Sequence, residues 1–396
     1  MRPEFDCTGG WSRAMTGQVR LVPYGPDMYA TYWYYCFVRQ PGDTFGIRFS
    51  GQYAHARFTS WNVYDGNTGD FVNPPGGPPS SIVDAGIEPD EGSLNPFRLA
   101  VDRATPERGY TVLVVPEGAP TGGAPNVITF PDGATTVSVY LRVYVPDPDL
   151  TGRYRLEGGV PLPSIAAFDT TTGEPIPCPM TQAAQGSQGG KLALPPPNHD
   201  GQVRFYRNSA GGYYPNGDAA YLYSIFNPPG DSVAVVRFRP PTRTHTDRPD
   251  GILEATPMVR YWSFNLYNQL TTASACLPDF QAKADEDGLV TLVLARPHPE
   301  VLRKVEEEGW NFLPWSPLSV LAETHGGGDA PDSVTVVYRN LVANPTFPSS
   351  SSAVPVFDPA RPASEQTAEL FMGEYAPMGT FCSVEEFLGA GVPAGV

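Results

Sequence analysis

Lysine is almost missing from this chain. Of its 26 basic residues only Lys191, Lys283 and Lys304 are lysines, and 42 acidic residues outnumber the basic ones to leave a net charge of −16. A nucleic-acid surface needs clustered positive charge facing the phosphates, so DNA and RNA are not expected as partners. The same repulsion disfavours an anionic membrane surface. Charged residues of both signs amount to only 17%, below the usual quarter. Nowhere does the chain hold the roughly 18 consecutive apolar residues that a membrane-spanning helix requires. The opening Met1-Arg2-Pro3-Glu4-Phe5-Asp6-Cys7 has no apolar leader core. Cytoplasmic residence is the expectation, with secretion after removal of a leader left open.

Several chemical signatures are also missing. The five cysteines (Cys7, Cys36, Cys178, Cys276, Cys382) are scattered, and none forms a Cys-x-x-Cys pair, which removes zinc ribbons and dithiol redox sites. Cys36 sits in an apolar aromatic run and reads as a small core residue. No glycine-rich strand-to-helix turn for a dinucleotide and no Gly-x-Ser-x-Gly elbow is present. Residues 186–191 faintly resemble a phosphate loop, but Leu192 stands where Ser or Thr would hold magnesium. His55, His199, His245, His298 and His325 show neither strand nor helix metal-ligand spacing. No metal and no cofactor is expected.

Proline (45) and glycine (41) are abundant instead, together with 41% hydrophobic and 12% aromatic residues. That many breakers forbid long helices yet suit short strands joined by turns, and the apolar content is ample for real cores. The chain is too long for one ordinary core and fits two.

Four blocks recur in the same order in both halves. Tyr32-Trp33-Tyr34-Tyr35-Cys36-Phe37 is echoed by Tyr221-Leu222-Tyr223-Ser224-Ile225-Phe226, and each is followed by Pro-Gly-Asp and then Arg-Phe. Arg57-Phe58-Thr59-Ser60-Trp61-Asn62-Val63-Tyr64-Asp65 is echoed by Arg260-Tyr261-Trp262-Ser263-Phe264-Asn265-Leu266-Tyr267-Asn268. Tyr110 to Pro116 answers to Val290 to Pro297, and Val137 to Pro148 to Val334 to Pro345. Blocks rich in β-branched and aromatic residues, bounded by such turns, are strands. The fold is therefore expected to be all-β, with two tandem β-sandwich or jelly-roll domains related by internal duplication. The first would span 1–169, a Pro/Gly/Gln/Ser-rich linker 170–200, and the second 201–396. Short helices are expected over 299–308, which has Pro at its start and Gly309 after its end, and over 383–388, behind Ser383.

The Arg57-to-Asp65 strand, the Pro89-Asp90-Glu91-Gly92-Ser93-Leu94-Asn95-Pro96-Phe97 loop and the Val139-to-Asp147 strand together resemble a family of uncharacterised bacterial proteins. So do Gly158-Gly159-Val160-Pro161-Leu162-Pro163, Asn311-Phe312-Leu313-Pro314-Trp315 and Tyr338-Arg339-Asn340-Leu341. The organisation is similar to that of paired domain-of-unknown-function proteins whose halves are β-sandwiches. The resemblance implies the fold and no reaction.

Period-two alternation puts Phe58, Ser60, Asn62 and Tyr64 on one face of their strand, and Tyr261, Ser263, Asn265 and Tyr267 on the matching face. A polar-aromatic face kept in both copies reads first as scaffold, with Ser and Asn satisfying a neighbouring loop and Tyr as a wedge. Features of one half alone are better site candidates: the acidic loop of Asp84, Glu88, Asp90 and Glu91, the Cys276-Leu277-Pro278-Asp279 segment, and the Glu374-Tyr375 pair of the tail.

The function expected is a cofactor-independent enzyme (cyclase, isomerase, lyase or hydratase type) acting on a hydrophobic or aromatic small molecule. The pocket would be lined by aromatics, and the acid/base groups drawn from His55, Asp65, Asp84, Arg260, Tyr267 and Glu374. Trp61, Tyr64, Trp262 and Phe264 would contact the ligand. The alternative is a non-catalytic carrier of an apolar ligand. Nothing in the chain sets an oligomeric state.

Overall fold

The computed structural model describes residues 5–17, 25–184, 201–207, 214–226, 232–243, 257–267, 273–315 and 334–390. The expected strands form because their alternating β-branched and aromatic residues can be buried against a second sheet. They assemble into four five-stranded sheets, two per half.

In the first half, the inner sheet runs in the order Met15–Thr16, Ala30–Val38, Thr136–Pro146, Ala56–Asp65, Ser81–Val83. The outer sheet runs Pro175–Ile176, Ser164–Asp169, Phe45–Gln52, Gly109–Pro116, Val127–Phe130. The second half repeats this plan. Its inner sheet runs Tyr206–Arg207, Ala219–Phe226, Val334–Leu341, Tyr261–Tyr267, Ala273–Pro278, and its outer sheet Gln202–Val203, Met378–Ser383, Ser232–Phe238, Val290–Ala295, Asn311–Pro314. Even the exception recurs. In each half the last two strands of the outer sheet pair parallel, while the other described strand pairs are antiparallel. The crossover that a parallel pair requires is a loop in the first half and carries the helix Pro299–Glu307 in the second. Register repeats too: Arg142 lies opposite Tyr32 and Ser60, as Arg339 lies opposite Tyr221 and Ser263. The duplication read from the sequence is thus a duplication of topology.

Each half has its own core between its two sheets. Trp33, Phe49, Trp61 and Val112 are among those that fill the first, and Leu222, Phe238, Trp262 and Phe264 among those that fill the second. The inner sheets are buried on their other face as well, against each other, where Tyr32, Phe58 and Tyr144 meet Tyr261 and Leu341. This explains why the strand Ala56–Asp65 is buried at every position but the last. One face serves the core and the other the seam between the halves. The helices Pro299–Glu307 and Val384–Ala390 cover the outer sheet of the second half through Val301, Val305 and Phe387. Ser383 and Glu386 cap the latter reciprocally, at 2.8 and 3.1 Å.

Two expectations need correction. Residues 170–184 are no linker: Pro175–Ile176 pairs with Ser164–Asp169, Cys178 is disulfide-bonded to Cys7, and Thr181 bridges to Phe37. The rest of the expected linker, with the phosphate-loop look-alike, lies outside the described residues, as do His199, His245 and His325. The second correction concerns symmetry. Ser81 lies opposite Asn62 and Cys276 opposite Asn265, so the short strands leading to Asp84 and to Asp279 are equivalent. Neither segment belongs to one half alone.

Cys7–Cys178 spans 171 residues of sequence and ties the start of the chain to the end of the first half. A cross-link of that span removes much freedom from the unfolded chain. Cys178→Ser, or reduction of the wild type, should lower unfolding stability by about 2–5 kcal/mol. Identical denaturation midpoints with and without reductant would contradict the pairing.

Candidate functional site

Two arginine–aspartate pairs cross the seam in opposite senses. Arg57, at the start of its strand in the first half, pairs with Asp279 of the second. Arg260, at the matching position of the second half, lies 3.3 Å from Asp84 of the first. All four side chains are nearly or fully out of solvent. Both carboxylates also receive backbone donors, Asp84 from Thr59 at 2.7 Å and Asp279 from Trp262 at 3.3 Å. Burial still dominates and pushes both carboxyls above their ordinary range, with the arginines opposing it.

Between these pairs the Ser-Asn-Tyr faces meet loops from the opposite half. Tyr64 donates to the carbonyl of Pro215 at 2.5 Å, and Asn62 accepts from the Gly217 amide at 3.0 Å. In the other copy Tyr267 donates to Gly25 at 3.0 Å, while Ser263, Tyr261 and Asn265 donate to the fully buried carboxylate of Asp27 at 2.7, 3.1 and 3.2 Å. Arg339 lies 3.6 Å from the same carboxylate. The two loops match. Asp27 takes the Tyr29 amide and offers its own amide to Tyr32, just as Asn216 takes the Asp218 amide and offers its own to Tyr221. The polar faces therefore satisfy neighbouring loops, as a scaffold would, and those loops come from the other half. The symmetry is imperfect. Asp27 answers to Asn216, and Tyr29 to Asp218, whose carboxyl burial pushes up to about 6.

The seam holds a cavity of about 400 Å3 between Met28, Tyr29, Pro146, Asp147 and Leu156 of the first half and Phe280 of the second. Arg57 and Arg155 also line it. The Tyr29 ring meets the Phe280 ring edge-on at 5.0 Å, and its hydroxyl accepts from Gln281 at 2.8 Å. Desolvation pushes that phenol up. Asp147 is the unusual member. Its Oδ1 accepts from Arg103 at 3.1 Å, whereas its buried Oδ2 receives no hydrogen bond from any described residue. Burial raises its carboxyl, with Arg103 pulling the other way. Asp147 answers to Asn344: both follow a valine in the left-handed region (Val145, φ 50; Val342, φ 48), and their backbone amides donate to the carbonyls of His55 and Met258, at 3.0 and 2.8 Å. The turn belongs to the fold in both halves, and the charge only to the first. A second, shallower groove of about 570 Å3 runs beside Phe71, Pro74, Pro79 and Pro215.

None of the ten residues named from the sequence lines the seam cavity. Asp84 and Arg260 are brought together, across the seam. Asp65 caps a turn by accepting the amides of Asn67 and Thr68 at 2.7 and 3.3 Å. Glu374 is exposed and paired with Arg239 at 2.6 Å. Tyr267 and Tyr64 are seam residues, and burial holds both phenols far above their ordinary value. Trp61, Trp262 and Phe264 are buried in the cores of their halves, and a void described in the first half, near Thr59 and Tyr110, holds only about 10 Å3. That is about the lower limit for a single water. The thiol of Cys276 is pushed well above its ordinary value by burial. His55 lies beside Arg108, whose Nη1 is 3.1 and 3.0 Å from the two ring nitrogens. Burial, then Arg108 and Arg103, push its imidazole down to about 4. Gly158 packs behind it at φ 77, where an added Cβ would stand 2.6 Å from that of Ala54. Among the described residues no three His, Cys, Asp or Glu side chains gather as a metal site. No described helix is long and apolar enough to cross a membrane.

No protein-family model matches the chain, and no curated protein matches it. Among solved structures it is similar to an uncharacterised protein from Burkholderia cenocepacia, with a TM-score of 0.49 and 12% identity, over 95% of this chain and 82% of that one. It is also similar to a protein from Vibrio parahaemolyticus, with a TM-score of 0.44 and 10% identity, over 91% and 90% of the two chains.

Two outcomes follow from the seam and its border. Asp279→Ala leaves Arg57 buried without its carboxylate and should cost about 3–5 kcal/mol, whereas Arg57→Met with Asp279→Leu should recover most of that loss. Denaturant titration of the three chains measures this, and equal stability of the single and double variants would refute it. At residue 55, the unfolded imidazole takes up a proton below its ordinary pKa of 6.5 while the native one waits until about 4. Stability from this residue should therefore fall as pH drops through that window. Melting curves of wild type and His55→Gln should converge at the acid end of that range, and parallel profiles would exclude the effect.

Proposed function

We propose that the chain is an acid–base enzyme acting on a carbon-rich small molecule in the seam cavity, with Asp147 as proton acceptor and Tyr29 as a polar group positioning the substrate. The observation that carries this is that Asp147, whose buried Oδ2 has no donor among the described residues, belongs to the lining of a cavity between Met28, Leu156 and Phe280. A buried acceptor left unsatisfied costs about 1–3 kcal/mol. Asn344 shows that the turn forms without that charge. A carboxyl raised by burial is also a better base near neutral pH than an ordinary one. Asp147 would take a proton from the substrate and return it to the product or to water. A volume of about 400 Å3 is within the roughly 300–1,000 Å3 of small-molecule sites.

The apolar lining supports a second reading, a carrier that holds such a ligand without changing it. Neither reading draws on His55, Asp84, Arg260 or Glu374, whose partners occupy them elsewhere. Cys7–Cys178 favours an oxidising compartment.

The test begins with mass spectrometry of small molecules retained by the purified protein. Asp147→Asn should keep the retained compound bound and lose turnover by about 100-fold or more. Undiminished turnover would refute the catalytic role, no turnover in the wild type would favour the carrier, and an empty wild type would sink both readings.

A further inference from the structure

Arg155 lines the seam cavity, is exposed, and its guanidinium makes no hydrogen bond or ion pair with any described residue. The other charged groups of the cavity wall are compensated: Arg57 by Asp279, and Asp147 by Arg103. Among the described residues the site is thus left with one spare positive charge, in a chain whose net charge is −16. A free arginine beside a largely hydrocarbon wall is complementary to a molecule with an apolar body and a single planar anion. From this geometry we infer that the substrate of the reaction proposed above carries a carboxylate, which Arg155 receives. The inference rests on that reading and goes one step further by naming the substrate class.

Three features favour a carboxylate over other anions. The guanidinium presents two parallel donors that match a carboxylate edge to edge. One uncompensated cation balances one negative charge, whereas a phosphate monoester brings close to two and calls for further donors. The remaining wall, with Met28, Pro146, Leu156 and Phe280, offers no second free cation among the described residues. A carboxylate held at Arg155 and an apolar body against Leu156 and Phe280 would orient the substrate relative to Asp147, so Arg155 acts as a specificity-determining residue.

Binding of phenylacetate, cinnamate and octanoate, each beside its methyl ester, measures this by calorimetry on the full chain. The wild type should prefer one or more of the acids over its ester by about tenfold or more, a gap of about 1.4 kcal/mol. Arg155→Gln should erase the preference, while Arg153→Gln should preserve it, because Arg153 stacks on Tyr154 and does not line the cavity. Arg155 is exposed, so its replacement leaves folding intact, and unchanged melting of the variant checks this. Esters binding the wild type as well as acids, or an acid preference that survives Arg155→Gln, overturns the carboxylate assignment and leaves the cavity reading standing. Failure of every acid also overturns it. If the wild type retains no metabolite either, the cavity reading falls with it.

Discussion

Reciprocal exchange of charge across the seam is the constraint on which the rest depends. Each half lends an arginine to the other's aspartate, Arg57 to Asp279 and Arg260 to Asp84. Desolvating two such pairs is expensive, and neither would be chosen for strength alone. What they supply is a defined alignment. A sheet face of tyrosine, phenylalanine and leucine could slide over its twin with little change in energy. A buried guanidinium cannot shift without abandoning its carboxylate, so the pairs favour one angle and one register of the inner sheets. The Asp27 cluster adds to this, since Ser263, Tyr261 and Asn265 converge on one carboxylate from the opposite half.

The cavity is a by-product of that alignment. Two identical halves facing each other would fill or leave empty the two ends of the seam alike. Here the copies have diverged where they meet. Asp147 faces the role that Asn344 has in the other half, and Tyr29 the role of Asp218. Changes of one residue on each side alter the chemistry of a wall whose backbone course is held by the repeat. A duplicated scaffold can in this way acquire a single site without new architecture: the turn at Val145 and Val342 is kept, and only the side chain beyond it differs.

Much of this was legible in the sequence. Periodicity and turn chemistry gave the strands, because short pleated elements must alternate and must end at Pro, Gly, Asp or Asn. The four collinear blocks gave the duplication. Periodicity places Ser60, Asn62 and Tyr64 on one face but says only which side chains point together and not what they meet, so it does not separate Tyr64 as a ligand contact from Tyr64 as a seam residue bonded to Pro215. The Asp84–Asp279 equivalence was hidden because Ser81-Ile82-Val83 and Cys276-Leu277-Pro278 share no residue type, and only their register against Asn62 and Asn265 reveals the match. Trp61, Trp262 and Phe264 read as ligand contacts in the sequence but fill the cores, because a core and a pocket draw on the same residues. The difference between Asp147-Pro148 and Asn344-Pro345 was readable, but both spell a turn, and nothing local says that one of them borders a void. Cys7–Cys178 could not be found by spacing at all, since it joins residues that only the folded first half brings together.

The mutual facing of the inner sheets has a consequence for synthesis. The first half leaves the ribosome with its core complete while Phe58, Tyr32 and Tyr144 still await the strand that carries Tyr261. Until the chain has been made as far as Tyr267, an aromatic surface is open to any neighbour, including the same surface on another nascent molecule. The serine and tyrosine hydroxyls and the asparagine amide set among those rings can be hydrated in the interval, which makes the waiting face less adhesive than an oily one. The polar residues that later lock the halves together thus also serve the half that has to wait.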